Sequence, residues 1–87
     1  MYSATLNQTN VANNNNKFYI LQILQHSINP QTCYFFTRWG RVGFEGQSDM
    51  LGPFSISVSI NFFLRKYSDK YKGGYIEVML SYEDNDK

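Results

Sequence analysis

Cysteine, histidine and proline are scarce here: one cysteine (Cys33), one histidine (His26) and two prolines in 87 residues. A lone thiol closes no internal disulfide, and Cys33 with His26 falls short of the four ligands of a structural zinc site. The fold must rest on packing, and such a chain suits a reducing compartment. Long apolar runs are missing too. None approaches the ~18 residues of a membrane-spanning helix, and the polar N-terminus lacks the apolar core of a secretory signal, so no membrane partner is expected. Eight basic against seven acidic side chains leave a net charge of only +1, so total charge does not announce a nucleic-acid partner. The distribution says more. Glu83, Asp84, Asp86 and Lys87 sum to −2, which leaves +3 on residues 1–82, a basic bias that acts only if gathered on one face.

The inventory also lacks catalytic constellations. His26 has no convincing nucleophile partner, because Cys33 lies seven residues on in a strand-like stretch and no neighbouring acid orients the imidazole. It reads as a turn histidine. Glu83, Asp84 and Asp86 match neither a calcium loop nor a spaced acid/base pair and read as a solubilising tail. The chain is expected to be a binding domain, not an enzyme, with no cofactor and no metal.

What the sequence does have is aromatic area: seven Tyr, seven Phe and one Trp within a 43% hydrophobic composition. Large rings let few residues build a core, and this length makes one domain. Residues 1–16, ending in Asn13 to Asn16, read as a polar N-terminal arm, 17–82 as the folded domain and 83–87 as the acidic tail. Phe18 to Leu24 predicts a strand with Phe18, Ile20, Gln22 and Leu24 on one face and Tyr19, Leu21 and Ile23 on the other. Ser27 to Gln31 carries turn chemistry, and Cys33 to Val42 predicts an antiparallel partner in which Phe35, Thr37, Trp39 and Arg41 share a face. Gly43 and Gly46 mark a hairpin turn into a third strand over Gln47 to Leu51, closed by Gly52-Pro53.

Ser55 to Ile60 alternates like a strand. Over the longer stretch to Tyr71, however, Ser59, Phe63 and Tyr67 recur at helical spacing opposite Arg65, Lys66, Asp69 and Lys70, which favours a helix. Gly73-Gly74 ends it, and Tyr75 to Leu80 alternates as a last strand. The order β-β-β-α-β implies an α+β fold, a small antiparallel sheet with one helix packed on a face.

The segment Trp39-Gly40-Arg41-Val42-Gly43 resembles the signature of the WGR domain. Its surroundings extend the likeness. Leu6 to Asn10, Asn14 to Tyr19, Leu21 to Leu24, the turn at Gly43, Gly46 and Gln47, and Phe63, Lys66, Tyr67, Asp69 and Lys70 resemble this domain in the short, DNA-dependent poly(ADP-ribose) polymerases. The resemblance covers residues 5–80. It implies a nuclear, non-catalytic module that binds DNA ends or nicks carrying a 5′-phosphate and contacts the regulatory or catalytic domain of an ADP-ribosyltransferase. Two departures stand out: only Tyr71 to Gly74 connect helix and last strand where the family commonly has a longer connection, and 87 residues leave no room for an NAD site.

Carried over position by position, the resemblance implies a DNA-binding set of Asn16, Lys17, Trp39, Gly40, Arg41 and Tyr75. The chemistry suits those residue types. An indole offers a platform for sugar or base, glycine allows close approach, and a guanidinium grips phosphate through two parallel bonds. Asn16 and Lys17 supply an amide and an ammonium for phosphate oxygens, and Tyr75 a hydroxyl. Trp39 and Arg41 are expected to stand clear of the core, so that truncating either leaves the fold intact. A lone Trp in a small domain is also a common core residue, Arg38 reads as a surface or core-rim charge, and Arg65, Lys66, Lys70 and Lys72 read as a solvated helix face rather than as contacts to duplex backbone. The competing reading is a scaffold or protein-interaction module of a larger nuclear complex that keeps the fold without break binding.

Overall fold

The computed structural model describes residues 2–10, 12 and 15–78. Strands β1 (Ser3–Asn10), β2 (Asn15–Gln25), β3 (Cys33–Arg41) and β4 (Gln47–Phe54) precede helix α1 (Ile56–Lys72) and a short strand β5 (Ile76–Glu77). The strands form one antiparallel sheet in the order β4-β3-β2-β1-β5, with α1 on one face. This is the expected α+β architecture with one strand more than the sequence pattern suggested.

That extra strand is β1, which occupies much of what was read as a polar arm. Its outward positions are polar, but Ala4 and Leu6 alternate inward and are buried where β1 pairs with Leu21 and Tyr19 of β2. A strand covered on one face needs only two apolar side chains, too few to register against a polar background. The polar residues around them also have structural uses: the Gln8 amide donates to the Gly73 carbonyl at 2.7 Å and fastens the end of α1 to the sheet. Strand β4 runs to Phe54, past its expected end, across an irregularity in its pairing between Cys33 and Phe35. Of the last strand, Met79 and Leu80 lie outside the described residues, as do Asn13, Asn14 and the acidic tail.

The ambiguous stretch after Pro53 is helical because Ser55 caps it. The Ser55 hydroxyl accepts the Val58 N–H at 3.2 Å, satisfying one of the donors a helix start leaves unpaired. The four-residue repeat then seats Ser59 and Phe63 in the core with Tyr67 packed against it. At the other end the Gly73 N–H reaches the Asp69 and Lys70 carbonyls and closes the last turn. Beneath α1 lie Leu6, Leu21, Ile23, Cys33 and Phe35, with Phe63 edge-on to Phe35 at 6.4 Å. The β2–β3 turn is held as its composition suggested: Nδ1 of His26 accepts the N–H groups of Ile28 and Asn29, both at 3.1 Å.

Two side chains test this account of the core. Leu6→Ala is expected to cost about 2–5 kcal/mol, read as a lower urea midpoint at unchanged slope; no change would mean that β1 frays as an arm. Ser59 is fully buried and its hydroxyl has no hydrogen-bond partner. Ser59→Ala is therefore expected to leave stability unchanged or raise it by about 1 kcal/mol, since it removes an unpaired buried hydroxyl. A loss of stability in the same melt would show that the hydroxyl is satisfied in solution.

Candidate nucleic-acid interface

Strand register assembles the site. Lys17 stands directly opposite Arg41 in the β2–β3 ladder, and two pairs further in Tyr19 stands opposite Trp39. All four are on the face that carries α1, because positions two apart on a strand share a face. The next strand extends both rows, with Gln8 beside Lys17 and Leu6 beside Tyr19. Lys17 and Arg41 are exposed, and among the described residues no carboxylate lies within salt-bridge distance of either.

Behind the two cations is an aromatic cluster centred on Tyr19. The Trp39 indole stacks on its ring at 5.5 Å and 13°, and Tyr75 meets it edge-on at 6.1 Å. From the last turns of α1, the Lys70 ammonium sits 4.5 Å above the Tyr19 ring and 5.9 Å from that of Tyr75, with Lys66 6.0 Å from Tyr19. These are cation–π distances, and they hold the ammonium groups at the mouth of the cluster without neutralising them. Lys66 and Lys70 thus lie over the ring cluster, and Lys17 and Arg41 continue its strand rows on the same face of a nearly neutral domain. The carboxylates felt here are Asp49 and Asp69, whose charges act on the Tyr19 phenol from a distance.

The structure places the expected residues differently from one another. Lys17, Trp39, Arg41 and Tyr75 come together as described. Tyr75 does so despite the short connection, because the Gly73–Gly74 turn folds its N–H back onto the Lys70 carbonyl at 3.0 Å. Asn16, by strand alternation, faces the opposite side from Lys17, and its carbonyl accepts the Val42 N–H at 2.9 Å. Trp39 does not stand clear of the core as expected: it is half-buried and packed against it, so its truncation is expected to lower stability.

Gly40 has a structural reason within the fold itself. A Cβ there would meet the Gly46 Cα at 2.8 Å, and one on Gly46 would strike the Trp39 carbonyl. Gly46 also has φ +80, a left-handed conformation that favours glycine. The two glycines let the β3–β4 loop fold flat onto its own strand. Arg38 braces that loop, lying 5.0 Å over the Phe18 ring and donating from Nη1 to the Glu45 carbonyl at 2.6 Å.

The sequence reading missed Tyr19 and Lys70 as members of the site. Tyr19 is indistinguishable in pattern from a core residue, and Lys70, weighed as a contact to duplex backbone, was set aside as a solvated helix charge. The available signal was the four-residue spacing of Lys66 and Lys70, which puts both on one helix face. Among the described residues no group of three His, Cys, Asp or Glu side chains is placed to hold a metal ion, and no helix is long and apolar enough to cross a membrane.

Fold and site together define a small α+β domain that presents an aromatic, cationic end. The family model for the WGR domain matches residues 2–81, and the chain belongs to that family. It is 51% identical over 73 residues to poly(ADP-ribose) polymerase 2 of Arabidopsis thaliana, an overlap of 83% of this chain and 11% of that protein. It is 46% identical over 76 residues to the protein mono-ADP-ribosyltransferase PARP3 of Homo sapiens, covering 87% and 14% of the two chains. Human poly(ADP-ribose) polymerase 2 is 34% identical over 76 residues, covering 86% and 13%. The chain therefore spans between 11% and 14% of the length of these relatives.

The cluster makes a testable statement about alkaline pH. Burial first, then the charges of Tyr75, Asp49 and Asp69, hold the Tyr19 phenol above its ordinary value, and burial alone does the same for Tyr75. A phenol whose value is raised on folding contributes stability that is whole below the unfolded value of about 10 and is lost as pH rises through the folded one. Stability is thus expected to be insensitive to these groups at neutral pH and to fall above about pH 10. Tyr19→Phe should flatten that fall. An ultraviolet-monitored titration in which all tyrosines ionise together at the ordinary value would contradict it.

Proposed function

We propose that this domain is a non-catalytic DNA-binding module that recognises strand breaks through the 5′-phosphate. The observation that carries this reading is the pairing of Lys17 with Arg41 at the open edge of the Tyr19–Trp39 stack. A terminal phosphate has more charge and more free oxygens than an internal one, so it gains most from an ammonium and a guanidinium that converge from neighbouring strands. The half-buried indole offers its exposed edge and remaining surface to the terminal sugar, and Tyr75 brings a hydroxyl to the same end. Lys66 and Lys70 add positive potential without specifying sequence. Membership of the WGR family and likeness to poly(ADP-ribose) polymerases support the same reading, and with it a nuclear setting next to the regulatory or catalytic domains of an ADP-ribosyltransferase.

One feature favours a protein partner as the second reading. A cleft of about 670 Å³ runs between α1 and the β3–β4 edge, with Phe35, Leu51, Phe62 and Leu64 at its apolar base. A module reassigned to scaffolding would use that surface and leave the cationic end idle.

Titration with nicked duplexes that differ only in the 5′-phosphate separates the two. The phosphorylated nick is expected to bind more tightly than its unphosphorylated copy and than intact duplex, with a log-log salt slope of roughly −2 to −4 for about two to four neutralised phosphates. Arg41→Ala should cost about 2 kcal/mol or more in that affinity. Its melting curve should match the parent, because the guanidinium is exposed. Trp39→Ala is the less clean variant, since losing the stack on Tyr19 also lowers stability. Equal binding to intact duplex, or a slope near zero, would favour the scaffold.

A further inference from the structure

The sheet face away from α1 carries a second recess, next to the break-binding end but not part of it. Its volume is about 370 Å³, within the range of small-ligand clefts. Phe18, Ile20, Val42 and Phe44 make its apolar walls, and Asn7 and Arg38 its polar ones. Phe44 stands at the tip of the β3–β4 loop, 66% exposed, on a turn closed by its own N–H to the Arg41 carbonyl at 3.0 Å. The Arg41 guanidinium lies 5.7 Å over the Phe44 ring, so the recess begins where the cationic end stops.

We propose that this recess takes an unpaired nucleobase of the DNA adjoining the break, stacked on Phe44 and hydrogen-bonded by Asn7. The proposal rests on the break-binding reading for the position of the DNA. Three observations select this occupant. A largely exposed ring on a loop flattened by Gly40 and Gly46 and braced by Arg38 is a preorganised stacking surface, because the aromatic side chain has few torsions left to fix. The Asn7 amide makes no hydrogen bond among the described residues, which leaves two donors and an acceptor for a base edge. The formal charges bordering the recess are the guanidinium groups of Arg38 and Arg41 and the exposed Glu45 carboxylate, and Arg38 spends only one of its N–H donors on the Glu45 carbonyl. An apolar slot with free amide groups and a cationic margin suits a base attached to phosphates better than a lipid chain or an acidic peptide.

The test compares a 5′-phosphorylated closed nick with the same duplex carrying a single-nucleotide gap. The parent domain is expected to bind the gapped duplex about fivefold or more tightly, the scale of one base–aromatic stack. Asn7→Ala should remove most of that advantage while closed-nick affinity stays within about twofold of the parent, and Phe44→Leu, which also takes the ring from beside Arg41, should lower gapped-duplex affinity by a larger factor than closed-nick affinity. Phe44→Trp should keep it. A gap advantage that survives both variants, or none in the parent, overturns the proposal. A nuclear magnetic resonance titration with a thymidine tetranucleotide needs no break. Shifts at the Asn7 side-chain amide and the Gly43 and Phe44 backbone support the recess even where closed nicks fail to bind, an outcome that would sink the break reading alone. Shifts confined to Lys17, Trp39 and Arg41 would overturn the recess and leave the break reading standing.

Discussion

The ring of Tyr19 is where the separate elements of this domain are tied to one another. It comes from β2, stacks on Trp39 of β3, meets Tyr75 beyond α1 edge-on, and lies beneath Lys70 from the last helical turns. Each contact is modest, on the order of 1 kcal/mol for an aromatic pair or a cation over a ring. Their joint effect is geometric. The β2–β3 register fixes where Trp39 stands, the docking of α1 fixes where Lys70 stands, and the helix–strand turn fixes Tyr75. A change in any of them moves the others, so the aromatic packing that completes one end of the core also positions the cations there.

This coupling explains how a chain with almost no net charge acquires a cationic surface. Lys17 and Arg41 are adjacent because antiparallel pairing sets them opposite each other. Lys66 and Lys70 join them because four residues make about one helical turn and the Phe63–Tyr67 stripe turns that side of α1 toward the sheet. Carboxylates are not excluded: Asp49 and Asp69 act on Tyr19, and Glu77 is occupied by the Tyr67 hydroxyl at 2.8 Å. What matters for an anionic ligand is that four cations line one edge without a carboxylate partner at salt-bridge distance among the described residues. Local arrangement, not the total of +1, sets the field that a phosphate meets.

The parts of the fold legible in the sequence were those with a strong period. The face assignment of Phe18 to Leu24 and the Ser59, Phe63, Tyr67 stripe both match the structure, since each repeats over several residues with its own spacing. Strand β1 was not legible: with Ala4 and Leu6 as its only buried side chains, and an asparagine run just after it, composition pointed to an arm. For the site, alternation alone put Trp39 and Arg41 on one face. It could not show that Trp39 would stack on Tyr19, because which strand residues meet depends on register, and register is fixed by the turn and the rest of the core. The structural role of Gly40 was hidden for a related reason. Its neighbour is Gly46, six residues on, and only the folded loop reveals that the space is already filled by the chain itself.

The compact β3–β4 loop has a consequence for both faces of the sheet. Arg41 precedes it on the α1 face and Arg38 grips it on the other, so the loop joins the cationic end to the Phe18 recess through six residues of backbone, from Arg41 to Gly46. A flexible hairpin here would let Arg41 and Phe44 move independently, and any ligand spanning them would bear the ordering cost. Two close glycine contacts, a turn hydrogen bond and the guanidinium on Phe18 remove that freedom before anything binds. The Trp-Gly-Arg segment therefore acts as a loop clamp, whatever it meets at its exposed edge. Its middle residue shapes the loop, and its outer two stand where the shaped loop and the Tyr19 cluster meet.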